Sequence, residues 1–388
     1  AADTYGERIA LVDGDRRLSY AQVRDAALAC AQHLQRSGAR HVAMLDINGA
    51  AAPIALFAAA YAGLPYVPLN YRLTRSEINE LIERIAPAVL IVGDDYAELP
   101  TPRDDVSLIR TQAFLALHAS AGAEPPQPEE DPRAVAVQLF TSGTTGKPKA
   151  AILRHENLMS YIVGTVEFAS AEDSDAIVIT VPPYHVACVS SLLSSCYAGR
   201  RIVFLPNFEP AAWLSVMRSE QVSNAFLVPT MLQRVVDHLA AGKEPPQLPA
   251  LRALAYGGGK MPLGTIQSAM QLLPGVDFTN GYGLTETSAT IAVLGPEDHR
   301  AALDSEDPAV RRRLGSVGKA TGAVEIQIRD DAGQVLGAED AGLVFVRGPQ
   351  VSGEYQTLGS QLDAEGWFPT KDRGYLDAEG YLFLDGRS

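Results

Sequence analysis

Directly after an apolar run at residues 134–140, the chain reads Thr141-Ser142-Gly143-Thr144-Thr145-Gly146-Lys147-Pro148-Lys149. The two glycines allow the backbone to turn its N–H groups inward, the hydroxyl side chains add further donors, and the lysines bring positive charge. A strand that leads into such a loop is typical of a site for a polyphosphate. We therefore interpret the segment as a phosphate-binding loop.

This loop differs from the common P-loop of nucleoside triphosphatases. That motif requires a glycine where Thr141 stands, and a Ser or Thr that holds magnesium where Pro148 stands. A solvated Gly/Thr turn has a similar composition, so the loop taken alone leaves both interpretations open.

Apolar runs of strand length alternate along most of the chain with segments of helical periodicity. Strands are predicted at 89–92, 176–181, 201–205 and 224–228, and helices at 20–37, 75–85, 211–219 and 229–241. This alternation predicts an α/β fold of parallel sheets covered by helices. From about residue 315 the pattern changes to short alternating strands separated by DDAG, DAEG and DAEG turns, which favours an antiparallel barrel or sheet.

Composition and charge exclude several classes of protein. The 388 residues, 47% hydrophobic and 20% charged, exclude a disordered or fibrous chain. The 46 acidic against 32 basic residues give a net charge of -14, which opposes binding to nucleic acid or to an anionic membrane surface. Only six lysines occur, and two of them, Lys147 and Lys149, lie in the glycine-rich loop.

The cysteines and the most apolar segment indicate the compartment. Cys30, Cys188 and Cys196 show no CxxC spacing, so we expect neither a disulfide framework nor a structural zinc site. We therefore expect a cytoplasmic protein. Residues 50–63 include Pro53 and are fewer than the roughly 17–25 that span a bilayer. We predict a buried helix there and no membrane insertion.

Three further blocks carry groups that suit a nucleotide. Residues 280–287 read NGYGLTET and combine an aromatic face for a purine, a hydroxyl for a phosphoryl oxygen and a carboxylate for Mg²⁺. Residues 256–260 read YGGGK, whose glycines permit a flat ring to lie against the main chain. Residues 367–375 read WFPTKDRGY, in which the aspartate can accept hydrogen bonds from vicinal ribose hydroxyls. Each block alone also suits a surface turn or a solvated face.

In their order along the chain, these blocks and the terminal DGRS resemble the signature segments of the acyl-adenylate-forming superfamily. That superfamily comprises acyl- and aryl-CoA ligases, peptide-synthetase adenylation domains and luciferases. The resemblance implies an adenylate-forming N-terminal core, with two helix-covered β-sheets over residues 1–314 and a smaller β-barrel-like subdomain over 315–388 that ends at the family's hinge. Because the sequence stops inside the hinge motif, we expect the mobile C-terminal domain to be absent.

The resemblance also implies roles for individual residues. Tyr282 would stack on adenine, Thr285 would contact the α-phosphate and Glu286 would ligate Mg²⁺. Asp372 would bind ribose, and Lys371 before it stands where the family has glycine. The implied ATP- or AMP-binding residues are Thr141, Ser142, Gly143, Thr144, Thr145, Gly146, Lys149, Gly257, Gly258, Gly259, Asn280, Gly281, Tyr282, Gly283, Asp372 and Arg387. The implied catalytic residues are Thr285, Glu286, His185 and Lys147.

An acyl site is expected around residues 182–188, which read PPYHVAC and resemble the family segment beside the substrate carboxylate. His185 would donate a hydrogen bond to that carboxylate or gate its entry. No acidic residue occurs between Pro182 and Arg200, where amino-acid-activating relatives usually carry an aspartate for the substrate ammonium. We therefore expect a fatty, aryl or similar carboxylic acid. The expected pocket residues are His185, Val186, Val189, Phe226, Gly258 and Leu284.

The implied reaction is ATP-dependent conversion of a carboxylic acid to acyl-AMP with release of pyrophosphate, followed by transfer to CoA. The expected cofactors are ATP and Mg²⁺, with CoA as acceptor. Two alternatives stay open: transfer of the acyl group to an amine or a carrier protein, and a non-catalytic protein that retains the ligand pocket. Without the lysine that the family's C-terminal domain supplies, we expect slow adenylate formation.

Overall fold

Strands and helices alternate along the chain, as the apolar pattern predicts. The computed structural model describes residues 1–117, 126–141, 148–242 and 246–387. In chain order the strands are β1 (Ile9–Asp13), β2 (Arg16–Ser19), β3 (His41–Leu45), β4 (Tyr66–Pro68), β5 (Ala88–Val92), β6 (Val106–Arg110), β7 (Val135–Thr141), β8 (Lys149–Arg154), β9 (Ala176–Ile179), β10 (Arg201–Phe204), β11 (Asn224–Leu227), β12 (Ala253–Gly257), β13 (Asp277–Leu284), β14 (Ala289–Leu294), β15 (Lys319–Ala320), β16 (Glu325–Arg329), β17 (Gly342–Arg347), β18 (Glu354–Tyr355), β19 (Gly359–Ser360), β20 (Phe368–Leu376) and β21 (Leu382–Arg387). The helices are α1 (Ala2–Tyr5), α2 (Tyr20–Arg36), α3 (Ala51–Ala62), α4 (Arg75–Ile85), α5 (Thr111–Leu115), α6 (His155–Thr165), α7 (Val186–Ala198), α8 (Pro210–Ser219), α9 (Pro229–Ala241), α10 (Leu263–Leu272), α11 (Pro296–Asp304) and α12 (Pro308–Arg311).

Two large sheets carry most of the fold, which confirms the expected α/β class. One has nine strands in the spatial order β15-β14-β13-β12-β11-β9-β10-β1-β2, and the other has eight in the order β19-β18-β8-β7-β4-β3-β5-β6. The main core, built from both sheets and from helices α2, α3, α6 and α7, lies between them. A second core packs α8, α9 and α10 on the outer face of the nine-stranded sheet, and a third packs α4 on the eight-stranded sheet. Apolar side chains on both faces of the strands explain the continuous apolar runs in the sequence.

The sheets are mixed rather than parallel throughout, which corrects one detail of the prediction. The central strands are parallel, whereas β1 and β2, β7 and β8, and β13 and β14 are antiparallel pairs. The connections within these pairs are too short for a crossover helix, and a short connection between neighbouring strands requires antiparallel pairing.

The β-rich end of the chain forms a four-stranded antiparallel sheet in the order β16-β17-β20-β21. Strand β15 extends the nine-stranded sheet, and β18 and β19 extend the eight-stranded sheet, so this end of the chain contacts both larger sheets. The three predicted turns share one geometry, in which the first aspartate accepts two backbone hydrogen bonds and the glycine is left-handed. The division at residue 315 stays a prediction.

Helix α3 is the buried helix that the sequence predicts. Its residues are apolar all round, and it ends at Gly63, whose φ of 69° is the left-handed conformation that glycine adopts at helix ends. None of the helices in the described ranges combines the length and apolar composition needed to cross a bilayer.

Candidate functional site

A cavity of about 420 Å³ lies where β12 and β13 meet the small sheet. Its walls come from segments far apart in sequence: the turn after β12, the end of β13, the segment before β15, and strands β20 and β21. Eight of the predicted nucleotide-binding residues line it, namely Gly258, Gly259, Asn280, Gly281, Tyr282, Gly283, Asp372 and Arg387. We call this space the nucleotide cavity.

The Asp372 carboxylate is held between two donors in this cavity. Oδ2 accepts a 2.6 Å hydrogen bond from the Tyr282 hydroxyl, and Oδ1 accepts a 3.0 Å hydrogen bond from Arg387 Nε. Burial, together with the neighbouring Asp372 charge, raises the pKa of Tyr282 well above its ordinary value, so the phenol stays a donor. Asp372 is only 7% exposed, and its carboxylate is therefore fixed in place before any ligand arrives.

Lys371, which stands where the resemblance implies a glycine, has a φ of 67°. This left-handed conformation is one that glycine adopts without strain and other residues adopt at a cost. The unusual residue thus keeps the backbone shape that brings Asp372 to the cavity.

Glu286 follows β13 in a short 3-10 turn, Thr285–Thr287, that packs against β8. Its Oε1 atom accepts a 2.5 Å hydrogen bond from the Tyr355 hydroxyl of β18, and the Lys149 ammonium lies 5.4 Å from the centre of the Tyr355 ring. Burial and the bond to Glu286 raise the pKa of Tyr355 above its ordinary value. Lys149, at the base of the predicted phosphate loop, is thereby brought near Glu286.

Only the two ends of the predicted phosphate loop can be placed. Thr141 closes β7 and its hydroxyl donates to the Lys149 carbonyl at 3.4 Å, at the start of β8. Arg84 donates to the Pro148 carbonyl at 2.7 Å. Ser142, Gly143, Thr144, Thr145, Gly146 and Lys147 lie outside the described residues.

A second cavity, of about 750 Å³, extends along the nine-stranded sheet next to the first. We call it the acyl cavity, after the acyl site that the sequence predicts. Alternate residues on two strands line it with small side chains, which leaves the space open: Ala253 and Ala255 on β12, and Thr279, Gly281 and Gly283 on β13. From the predicted pocket, His185, Val186, Phe226 and Gly258 line it, and so does Thr285.

Two residues of the predicted pocket lie elsewhere. Val189 is 1% exposed and belongs to the main core, because the face of α7 that lines the cavity carries Val186, Ser190 and Ser191 instead. Leu284 lines the nucleotide cavity. Helical spacing from Val186 places both Val189 and Ser190 near the same face, so it does not distinguish the two.

Glycines line the boundary between the two cavities, and we call this boundary the glycine wall. Gly258, Gly259, Gly281 and Gly283 line both of them, together with Lys260. Gly257, which is paired with Gly281 across β12 and β13, stands directly behind the wall, and a methyl group on it would clash with the Gly281 carbonyl oxygen. Gly258 has a φ of 76°, which favours glycine. The missing side chains leave room for one ligand to extend across both cavities.

His185 lies at the start of α7 and contacts Tyr184, with the ring centres 4.6 Å apart. Its side chain retains exposure at the cavity, yet the surrounding protein desolvates the imidazole. This desolvation, assisted by the positive charge of Arg72, lowers the pKa of His185 below the ordinary 6.5. A neutral imidazole at neutral pH can donate one hydrogen bond to a carboxylate.

Several residues at the site carry no local sequence signal. Tyr355 reaches Glu286 only because β18 joins the eight-stranded sheet, and Arg200 and Asn224 reach the acyl cavity from the amino ends of β10 and β11. Each placement depends on pairing between distant segments, which local periodicity does not record.

Comparison with known proteins identifies similar sequences. A family model described as AMP-binding enzyme matches residues 1–356. The indoleacetate–CoA ligase of Aromatoleum aromaticum is 30% identical over 96% of this chain and 74% of its own length. A 2-succinylbenzoate–CoA ligase of Bacillus cereus is 28% identical over 98% of this chain and 76% of its own length.

Solved structures share the fold over the whole chain. The o-succinylbenzoate CoA synthetase of Bacillus subtilis, in complex with its acyl-adenylate intermediate, is 27% identical, with a TM-score of 0.83 over 100% of this chain and 97% of that chain. The inhibitor-bound N-terminal domain of FACL13 from Mycobacterium tuberculosis is 26% identical, with a TM-score of 0.85 over 100% of this chain and 97% of that chain.

Proposed function

Because the chain belongs to the family of AMP-binding enzymes, we propose that it activates a carboxylic acid as acyl-AMP, releases pyrophosphate and passes the acyl group to CoA. The observation that supports this most strongly is the glycine wall, which four glycines share between the nucleotide cavity and the acyl cavity. An acyl-AMP has its nucleotide and its acyl chain on either side of one mixed anhydride. Two adjoining cavities with an open wall suit that shape.

In the proposed complex, AMP occupies the nucleotide cavity. The adenine stacks on Tyr282 beside the backbone of Gly258 and Gly259, and the ribose hydroxyls bind the fixed Asp372 carboxylate. Arg387 contacts ribose or phosphate from the other side of Asp372. Each of these contacts uses a group that already lines the cavity.

The residues around Glu286 suit magnesium bound to a nucleotide. Within the described part of the chain, no group of three or more His, Cys, Asp or Glu side chains could hold a metal ion. Tyr355 occupies Oε1 of Glu286 and leaves Oε2 for a cation. One carboxylate plus substrate phosphates is a usual magnesium environment, and the ion when bound neutralises phosphate charge. Glu286 would hold it, and Lys149 would face the β- and γ-phosphates.

The chemical step needs positioning rather than a general base. A carboxylic acid is already ionised at neutral pH, and its oxygen attacks the α-phosphorus in line with the departing pyrophosphate. Both reactants are anionic, so the positive groups and the Thr285 hydroxyl would stabilise the charge on the phosphoryl oxygens. Neutral His185 would donate a hydrogen bond that orients the acid at the junction of the two cavities.

The acceptor and the compartment follow from similarity and from the thiols. The relatives are named CoA ligases and synthetases, which supports CoA as acceptor here. Cys30, Cys188 and Cys196 are free and buried, and burial raises the pKa of each thiol to about 12. Free thiols support a reducing, cytoplasmic compartment.

A product assay tests this proposal. The protein is incubated with ATP, Mg²⁺, CoA and one of a panel of fatty, benzoic, cinnamic or indole acids, and the nucleotides and acyl products are identified by mass spectrometry. We expect AMP and pyrophosphate to form only with a suitable acid, and acyl-CoA to equal AMP. Formation of ADP, or AMP that does not depend on any acid, would contradict the proposal.

A further inference from the structure

The acyl cavity ends at a charged group. Asn224 is aligned with Ile177 and Ala253 on the neighbouring strands, at the amino ends of β9, β11 and β12, and Arg200 immediately precedes β10 at the same edge. All four line the cavity, whereas the glycine wall lies at the carboxyl ends of the strands. We call the edge with Arg200 the distal end.

The Arg200 guanidinium lacks a partner of its own among the described residues. Its Nε atom is buried without a hydrogen-bond partner, and no carboxylate in the described ranges lies within ion-pair distance. The nearby Asp175 carboxylate pairs with Arg252 and accepts a hydrogen bond from the Glu172 backbone N–H at 3.1 Å. Asp175 thus pairs with Arg252 and not with Arg200, and the positive charge at the distal end has no ion-pair partner among the described residues.

A neighbouring amide adds a second donor. The Asn224 Oδ1 atom accepts from the Ser223 hydroxyl at 2.8 Å, which leaves the Asn224 amide N–H groups as donors at the distal end, with β9 between this strand and β10. A guanidinium and an amide at one end of the cavity suit an anionic acceptor. Leaving a partly buried charge unpaired costs free energy, whereas an anion there would compensate it.

We propose that the acid which this protein activates carries a second anionic group, such as a carboxylate, at its far end, and that Arg200 pairs with that group. The inference rests on the proposed function, since the other end of the acid must reach the glycine wall. Three residue steps from Ala253 to Tyr256 cover roughly 10 Å at 3.3 Å per residue. The two acidic groups would be separated by about that distance.

Calorimetry with matched conjugates tests this proposal. Adipic, suberic and sebacic acids are each joined through one carboxylate to 5′-O-sulfamoyladenosine, a stable mimic of AMP, and each is compared with its distal methyl ester. We expect the best-fitting diacid conjugate to bind at least about tenfold more tightly than its ester. Arg200→Leu should remove this difference, and Arg200→Lys should retain part of it.

A matched control and the contrary outcomes complete the test. Arg300→Leu removes an equal charge from an exposed ion pair with Asp277 and should leave the preference unchanged. If the esters bind as tightly as the acids, or if the preference survives in Arg200→Leu and Arg200→Gln, the proposed pairing of a distal anion with Arg200 is contradicted. The proposed binding of an acyl-adenylate would still stand. If neither the conjugates nor 5′-O-sulfamoyladenosine itself binds, the proposed function fails, and this inference fails with it.

Discussion

The Tyr282 hydroxyl donates a 2.6 Å hydrogen bond to the Asp372 carboxylate and so joins β13 of the large sheet to β20 of the small one. The two residues are 90 positions apart in sequence. With Arg387 on the other carboxylate oxygen, the bond fixes the orientation of Asp372 toward the nucleotide cavity. The fold thus organises the proposed ribose site before the nucleotide binds.

Replacing this carboxylate should weaken nucleotide binding. We expect Asp372→Ala to raise the dissociation constant for AMP by about tenfold to a hundredfold, because hydrogen bonds to a charged group contribute about 1.5–3 kcal/mol each. Titration calorimetry measures the change. Asp331→Ala, which removes an exposed carboxylate paired with Arg373, serves as the control. An unchanged affinity in Asp372→Ala would rule out the ribose assignment.

Removing the charge of Glu286 should impair the use of magnesium. In Glu286→Gln we expect acid-dependent AMP formation to fall by at least about a hundredfold, because charge neutralisation at the phosphates is lost. Tyr355→Phe removes only the donor to Glu286 and should keep the magnesium dependence. Rates measured across a magnesium titration separate the two variants. Equal loss in both would indicate a structural role for Glu286.

Two glycines of the wall should tolerate a methyl group to very different degrees. A methyl at Gly283 would clash with the backbone carbonyl of Ala289, whereas one at Gly259 would lie 3.6 Å from Pro229, an ordinary contact. We expect Gly283→Ala to lower the free energy of unfolding by about 3 kcal/mol and Gly259→Ala to change it by less than about 1 kcal/mol. Urea unfolding gives both values. Equal stabilities would show that the wall is not closely packed.

Stability should depend on pH through His299. Its Nδ1–H donates to the Gly295 carbonyl at 2.7 Å, so Nε2 of the neutral ring accepts from the Tyr256 hydroxyl at 2.8 Å, and burial lowers the pKa of His299 below 6.5. Above pH 6.5 His299 is neutral in both the folded and the unfolded protein, and its contribution to the free energy of unfolding is fully present. As pH falls below 6.5, the unfolded chain binds the proton first, so the free energy of unfolding decreases.

The variant His299→Gln should show a shallower decrease. Both proteins are unfolded with urea at several pH values between about 7.5 and 5. This range brackets the ordinary histidine pKa of about 6.5. His41, His155 and His185 also have lowered pKa values and keep part of the slope. Identical slopes in the two proteins would contradict a neutral, buried His299.

Local features of the fold could be predicted because they depend on neighbouring residues. Helices α4 and α9 begin and end where the sequence indicates, since each has clear start signals: Thr74 and Glu77 form a capping box, and Pro229 opens α9. Helix α3 and the DDAG and DAEG turns likewise follow from the composition of their own segments.

Long-range pairing could not be predicted from the sequence. Val189 was expected in the acyl pocket but lies in the main core, because one turn of a helix presents different residues to different sides. Nothing near Tyr355 indicates that β18 would bring it to Glu286. The contact of Tyr282 with Asp372 likewise depends on how two sheets pack, which no local spacing determines.

The central claim is that one acyl-adenylate occupies both cavities across the glycine wall. The most direct test is calorimetric comparison of AMP, the free acid and the matching acyl-sulfamoyladenosine conjugate on the same protein. The account predicts that the conjugate binds at least about a hundredfold more tightly than AMP or the acid alone, because its two parts bind as one ligand. A conjugate that binds no more tightly than AMP would contradict the claim.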